Sequence, residues 1–130
     1  MAYLIDTCIL IDHLRGYGPA RDWLVSSIAG SPDDVFISVI TLTELLAGVT
    51  FRQEKPLRNL VSVMKCLAIE EPVARAAGEY LRKWRPALGL DVPDALIAAT
   101  AKQYGLTLAT LNRRYFPMED LSVIIPYKYS

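Results

Sequence analysis

Short apolar runs alternating with stretches of helical spacing constrain this chain more than any other feature. Residues 2–5, 35–39, 67–69, 106–109 and 121–125 read as strands. Between them, Cys8 to Leu14, Pro19 to Ile28, Thr41 to about Phe51, Pro56 to Lys65, Pro72 to Trp84 and Val92 to Tyr104 repeat apolar residues three and four apart. Gly16 and Gly18 stop the first helix, Pro86 and Gly89 the fifth, and Gly105 the last. Strands separated by helices lie parallel, and such a sheet is covered on both faces. The 130 residues fit one α/β domain, 1–130, with no repeat or long linker.

Strand ends carry the chemistry in such a sheet, because ligands bind in the crevice at the carboxyl edge. The first strand runs Tyr3-Leu4-Ile5 and stops on Asp6. Glu44 and Asp94 each lie near the start of a helix that follows an apolar or turn segment. Each acid has a structural explanation. Thr41-Leu42-Thr43-Glu44 matches a capping box, Asp91 caps a helix with Asp94 in its first turn, and Asp6 caps the first helix. Together they point to one acidic pocket, and gathered carboxylates need a cation or a raised pKa. Oxygen ligands without histidine or cysteine select Mg²⁺ or Mn²⁺, ions that activate water and neutralise a phosphodiester in flight.

Other chemistries find little support. His13 is the single histidine, so multi-histidine metal sites are excluded and a Ser-His-Asp triad has no placed serine. No phosphate-binding glycine loop is present. A phosphoacceptor receiver needs paired acids after the first strand, where Thr7 follows Asp6; a haloacid-type phosphatase needs an aspartate where Cys8 stands. Fourteen basic and fourteen acidic residues cancel, so a nucleic-acid surface must come from local clusters. No run reaches the roughly 20 apolar residues of a membrane span. Cys8 and Cys66, in or beside apolar segments and without a signal peptide, read as free, buried thiols of a cytoplasmic protein.

Four segments taken in order resemble the PIN-domain ribonucleases, and most closely the VapC-type toxins of toxin–antitoxin pairs. They are Ile5-Asp6-Thr7-Cys8-Ile9-Leu10-Ile11-Asp12 followed by Leu14-Arg15-Gly16, Ser38 to Leu45 with Gly48, Pro93-Asp94-Ala95 to Ala101, and Leu106 to Asn112. The resemblance implies a three-layer α/β/α sandwich around a parallel sheet of about five strands. It implies a metal-dependent endoribonuclease with Asp6, Glu44 and Asp94 as core acids holding Mg²⁺ or Mn²⁺. It implies Thr7 supporting Asp6, Thr110 and Asn112 lining the far side, a homodimer, and a small antitoxin in the groove. A PIN domain that has lost catalysis and only binds antitoxin or RNA is the alternative.

One departure stands out. Many relatives follow the Thr-x-Asn element with an aspartate before a phenylalanine, where this chain has Tyr115 before Phe116. Asp91 is then either a fourth ligand or a helix cap. Arg113 and Arg114 follow Asn112 and are expected at the pocket rim as phosphate contacts, with Arg15 a short helix from Asp6. Arg82, Lys83 and Arg85 read as ordinary solvated charge. Phe116 reads as core. The target RNA is not legible.

Overall fold

The computed structural model describes residues 1–129. Five strands, β1 Tyr3–Ile5, β2 Val35–Ser38, β3 Lys65–Leu67, β4 Thr107–Ala109 and β5 Val123–Ile124, form one sheet in the order β3-β2-β1-β4-β5. Every pairing is parallel. Six helices cover it: α1 Thr7–Leu14, α2 Gly18–Gly30, α3 Val39–Gly48, α4 Glu54–Ser62, α5 Glu71–Leu88 and α6 Val92–Gln103.

Strand alternation divides the apolar residues between two layers. Leu4 and Leu108 face α5 and α6, where Val73, Ala77, Ile97 and Ala98 are buried. Ile5, Ile37 and Ala109 face the other way, toward Ile9, Leu10, Leu24, Leu45 and Leu57. The expected α/β/α sandwich is therefore present. No helix among the described residues is long and apolar enough to cross a membrane.

Several boundaries differ from the sequence reading. The third strand lies two residues earlier, at 65–67, because backbone pairing places Lys65 opposite Phe36 and Leu67 opposite Ser38. It is an edge strand with Lys65 and Cys66 exposed, so apolar content does not mark it. Cys66 is accordingly not a buried thiol; it is exposed, Cys8 is half-buried, and both are free. α3 begins at Val39 rather than Thr41, because the Ser38 hydroxyl accepts the Ile40 N–H at 3.1 Å.

Pro86 does not end α5, since near the helix end its missing N–H forfeits a single bond. The helix stops at Gly89, with φ +66° and its N–H on the Arg85 carbonyl at 2.8 Å. No atom would meet a Cβ there, so the penalty for Gly89→Ala is conformational alone. The substitution is expected to lower stability by about 1 kcal/mol, read from urea unfolding midpoints at unchanged m-value.

Topology positions the site. From β1 the chain steps outward to β2 and β3, then returns to the other side of β1 for β4 and β5. The strand order therefore reverses between β1 and β4, where an open α/β sheet forms its ligand crevice. α6 enters β4 through three residues, so its end lies at the amino edge of the sheet and its beginning at the carboxyl edge. Asp94 in its first turn is thereby returned to the edge where β1 and β4 terminate.

Candidate active site

Asp6 follows β1 directly, and its N–H extends the pairing to the Ala109 carbonyl at 2.9 Å. Its carboxylate is buried, with one oxygen accepting from the Thr7 N–H at 2.8 Å and the other from the Thr110 hydroxyl at 2.6 Å. The Cys8 thiol lies 3.7 Å from that second oxygen. Capping α1 and facing the crevice are thus one geometry, so the two readings of Asp6 do not compete. Thr110 is held in turn, because its oxygen accepts the Asn112 N–H at 3.0 Å.

The Thr7 hydroxyl turns away from Asp6. It donates to Glu44 Oε1 at 2.7 Å and lies 3.1 Å from the fully buried Thr41 hydroxyl. A hydroxyl has one hydrogen, so the carboxylate takes it and Thr41 becomes the donor to Thr7. The capping-box reading of Glu44 is therefore wrong. Ser38 is the cap, and Glu44 stands in the second turn of α3, with its carboxylate joined to α1 through Thr7.

At α6 the cap reading of Asp91 holds: its carboxylate accepts the Asp94 N–H at 2.9 Å. Asp94 itself is pushed up to about 7, first by burial, then by the charges of Asp91, Asp6 and Glu44. Asp6 is also raised, chiefly by burial, with hydrogen bonds from Thr110, Thr7 and Cys8 opposing and the Glu44 charge adding to it. The three predicted acids therefore sense one another. Among the described residues they are not gathered into a group of three that could hold a metal ion. No ion pair among those residues neutralises any of them; the pairs are Arg21–Asp22, Lys65–Asp33, Arg75–Glu71 and Lys102–Asp120.

This repulsion has a stability consequence. The folded state keeps a proton on Asp94 up to about pH 7, whereas the unfolded chain releases it near pH 4. Between those values the native state binds more protons, so Asp94 lowers stability as pH rises and the full penalty stands above pH 7. In EDTA, Asp94→Asn is expected to melt close to wild type at pH 4 and to be more stable at pH 8 by on the order of 1 kcal/mol. A gap that fails to open between those pH values in thermal denaturation would remove Asp94 from the acid group.

A family model for the PIN domain matches residues 3–120. Ribonuclease VapC10 of Mycobacterium tuberculosis is 40% identical over 116 residues, covering 88% of this chain and 86% of the relative. Ribonuclease VapC19 of the same organism is 38% identical over 116 residues, covering 88% and 92%. A toxin–antitoxin complex from Klebsiella pneumoniae contains a chain that superposes with a TM-score of 0.80 at 28% identity, covering 98% of this chain and all of that one. The chain is a PIN domain of the VapC family.

Around the acids of this PIN domain the other predicted residues take distinct places. Asn112 acts through its backbone, as the donor that holds Thr110. Arg113 and Arg114 lie in a 3₁₀ turn with Tyr115, both exposed. Arg114 lies over the Tyr115 ring, 4.7 Å from its centroid, and donates to the Tyr115 hydroxyl at 2.9 Å. Tyr115 is half-buried against the α5–α6 core, so it serves packing here. Phe116 is core, as expected, at 3% exposure. Arg15 lines a cleft of about 240 Å³ together with Glu44, Leu45 and Gln53.

Sequence reasoning missed two features. The spacing suggests Thr41 as a cap, whereas it is the buried support of Thr7; Ser38 at the strand end is the local signal. The second is Asp12, which accepts the hydroxyls of Tyr127 and Tyr129, each at 2.7 Å. Those tyrosines follow the last strand in a segment without periodicity, and only their spacing of two hinted at a shared direction.

Proposed function

We propose that this PIN domain is a metal-dependent endoribonuclease and the toxin of a VapBC-type pair, acting in the cytoplasm. The observation that carries this reading is the trio Asp6, Glu44 and Asp94 near the strand-order reversal, with no ion pair to any of them among the described residues. The donor set is all oxygen, which fits a hard divalent ion such as Mg²⁺ or Mn²⁺ and suits no softer metal. When bound, such an ion supplies Lewis-acid stabilisation of phosphodiester charge and an activated water.

The chain's own residues orient the acids. Thr7 fixes one Glu44 oxygen, and the Asn112–Thr110 relay fixes one Asp6 oxygen. The Asp94 carboxyl, pushed up to about 7, holds a proton there for part of the time until a cation displaces it. Arg113 and Arg15 are the exposed cations assigned to RNA phosphates; Arg114 serves there by leaving its Tyr115 contact. The partners of this reading are RNA, a small antitoxin and a second copy of the chain. Exposed Leu46 and Phe51, beside the Val49 and Leu57 cleft, suit a protein partner. The free thiols fit a reducing compartment.

The test is cleavage of RNA by purified protein, freed of antitoxin, with Mn²⁺ or Mg²⁺ and with EDTA. Cleavage that needs the metal and disappears in Asp94→Asn supports the reading; cleavage that survives both overturns it. The open acid arrangement and the packing role of Tyr115 favour one second reading, a binding-only PIN domain. It predicts RNA or antitoxin binding with no metal-dependent cleavage.

A further inference from the structure

The C-terminal segment does more than close the sheet. Beyond β5 it lies across α1, and Leu111, Asn112, Ile125, Tyr127, Lys128 and Tyr129 line a groove of about 540 Å³. That volume falls within the roughly 300–1,000 Å³ of ligand clefts. The groove adjoins the acid pocket directly. Cys8, also in its wall, is 3.7 Å from the Asp6 carboxylate, and Asn112 holds the threonine that holds Asp6.

Tyr129 is the informative residue. Its side chain is largely exposed, 64%, yet it does not hang free. Its hydroxyl is bonded to the buried Asp12 carboxylate, which also takes the Tyr127 hydroxyl. The ring is propped against Tyr17 at 5.5 Å between centroids and against Tyr127 at 6.4 Å. A packing role would bury the ring, and a surface role would leave it to rotate. An aromatic ring both exposed and clamped is a prepared stacking surface. Its neighbours are an exposed ammonium at Lys128 and a side-chain amide at Asn112.

We propose that this groove is a nucleobase subsite, in which an unpaired base of single-stranded RNA stacks on Tyr129 beside the phosphodiester held at the acids. Lys128 meets a flanking phosphate, and the Asn112 amide meets the base edge. The inference rests on the ribonuclease reading, since it takes RNA as the ligand. A base must be unpaired to stack there, because a duplex offers no free base face to a protein side chain. The subsite also makes Asn112, which meets the base edge, a determinant of which sequence is preferred, with Tyr129 and Lys128 supplying affinity.

The experiment measures binding apart from chemistry. Full-length Asp94→Asn protein in EDTA is titrated against a short fluorescein-labelled RNA of mixed sequence, single-stranded and then annealed to its complement, by fluorescence anisotropy. The single strand is expected to bind more tightly. Tyr129→Leu is expected to weaken it about tenfold, and Tyr129→Phe, which keeps the ring and loses only its Asp12 clamp, by less. Lys128→Ala, exposed and outside the Asp12 clamp, is expected to weaken it a few-fold and to lower the salt slope by about one phosphate. Melting curves establish that each variant is folded, and Lys128→Ala carries the test if Tyr129→Leu is not.

Unchanged single-strand binding in folded Tyr129→Leu, or in Lys128→Ala where it alone is folded, overturns the proposal. So does an equal loss for duplex and single strand. Weakened binding of a co-expressed antitoxin with unchanged RNA binding overturns it too, since the groove would then be a protein interface. A wild-type protein that binds single strands through Tyr129 but cuts nothing counts against the nuclease reading and leaves the subsite standing.

Discussion

Asp6→Asn is expected to reduce metal-dependent RNA cleavage by more than a hundredfold while the protein stays folded. Loss of residues that merely support a ligand costs about 10–100-fold, and Asp6 is proposed as a ligand itself. Asparagine is close to isosteric. Its carbonyl oxygen can keep the Thr7 N–H, and its amide can donate to Thr110, whose hydroxyl then turns round. Burial and Glu44 both disfavour the Asp6 charge, so removing it is expected to leave the melting temperature in EDTA unchanged or higher. A variant that loses activity and stability together would make Asp6 a structural cap. One that keeps cleavage would remove the acid pocket from the chemistry.

Thr110→Val is expected to have the next largest effect, about 10–100-fold in kcat/KM. Valine keeps the shape of threonine but not its hydroxyl. Asp6 loses a 2.6 Å donor, and the Asn112 N–H loses its acceptor. The unpaired amide is expected to cost roughly 1–3 kcal/mol of stability, so a rate loss alone would not identify the role. The pH–rate profile does. The Thr110 hydrogen bond pulls the Asp6 carboxyl down against burial. Without it the folded pKa rises further, and the acid limb of the profile is expected to move to higher pH. Thr110→Ser, which keeps the hydroxyl, is expected to restore the limb. Lost activity with an unmoved limb would make Thr110 a packing residue.

The acids of the pocket were visible before the fold was. Asp6 interrupts an apolar strand, and Asp94 follows Asp91 and Pro93 at a helix start. A residue's position at a strand end or in a first turn depends on its nearest neighbours in sequence. Local signals of that kind also revealed the helices, the parallel sheet and the core placement of Phe116. The third strand lies two residues before the apolar run because an edge strand is held by hydrogen bonds to its neighbour, and neither Lys65 nor Cys66 needs to be apolar. Pro86 lies inside α5, and the stop is set instead by Gly89 in the left-handed region.

Glu44 shows where sequence stops. Its spacing from Thr41 suited a capping box, and only the tertiary structure decided otherwise by capping the helix with Ser38 and handing Glu44 to Thr7 of another helix. The Thr110–Asp6 bond spans 104 residues of chain, and the Asp12–Tyr129 bond spans 117. Sequence alone determined the strand and helix order and the chemical identity of the acids, because periodicity, turns and charge are local. Which hydroxyl meets which carboxylate, that the Asp94 carboxyl is pushed up, and that an exposed tyrosine is clamped beside the pocket were decided by tertiary packing. Such contacts join segments whose separation along the chain leaves no periodic trace.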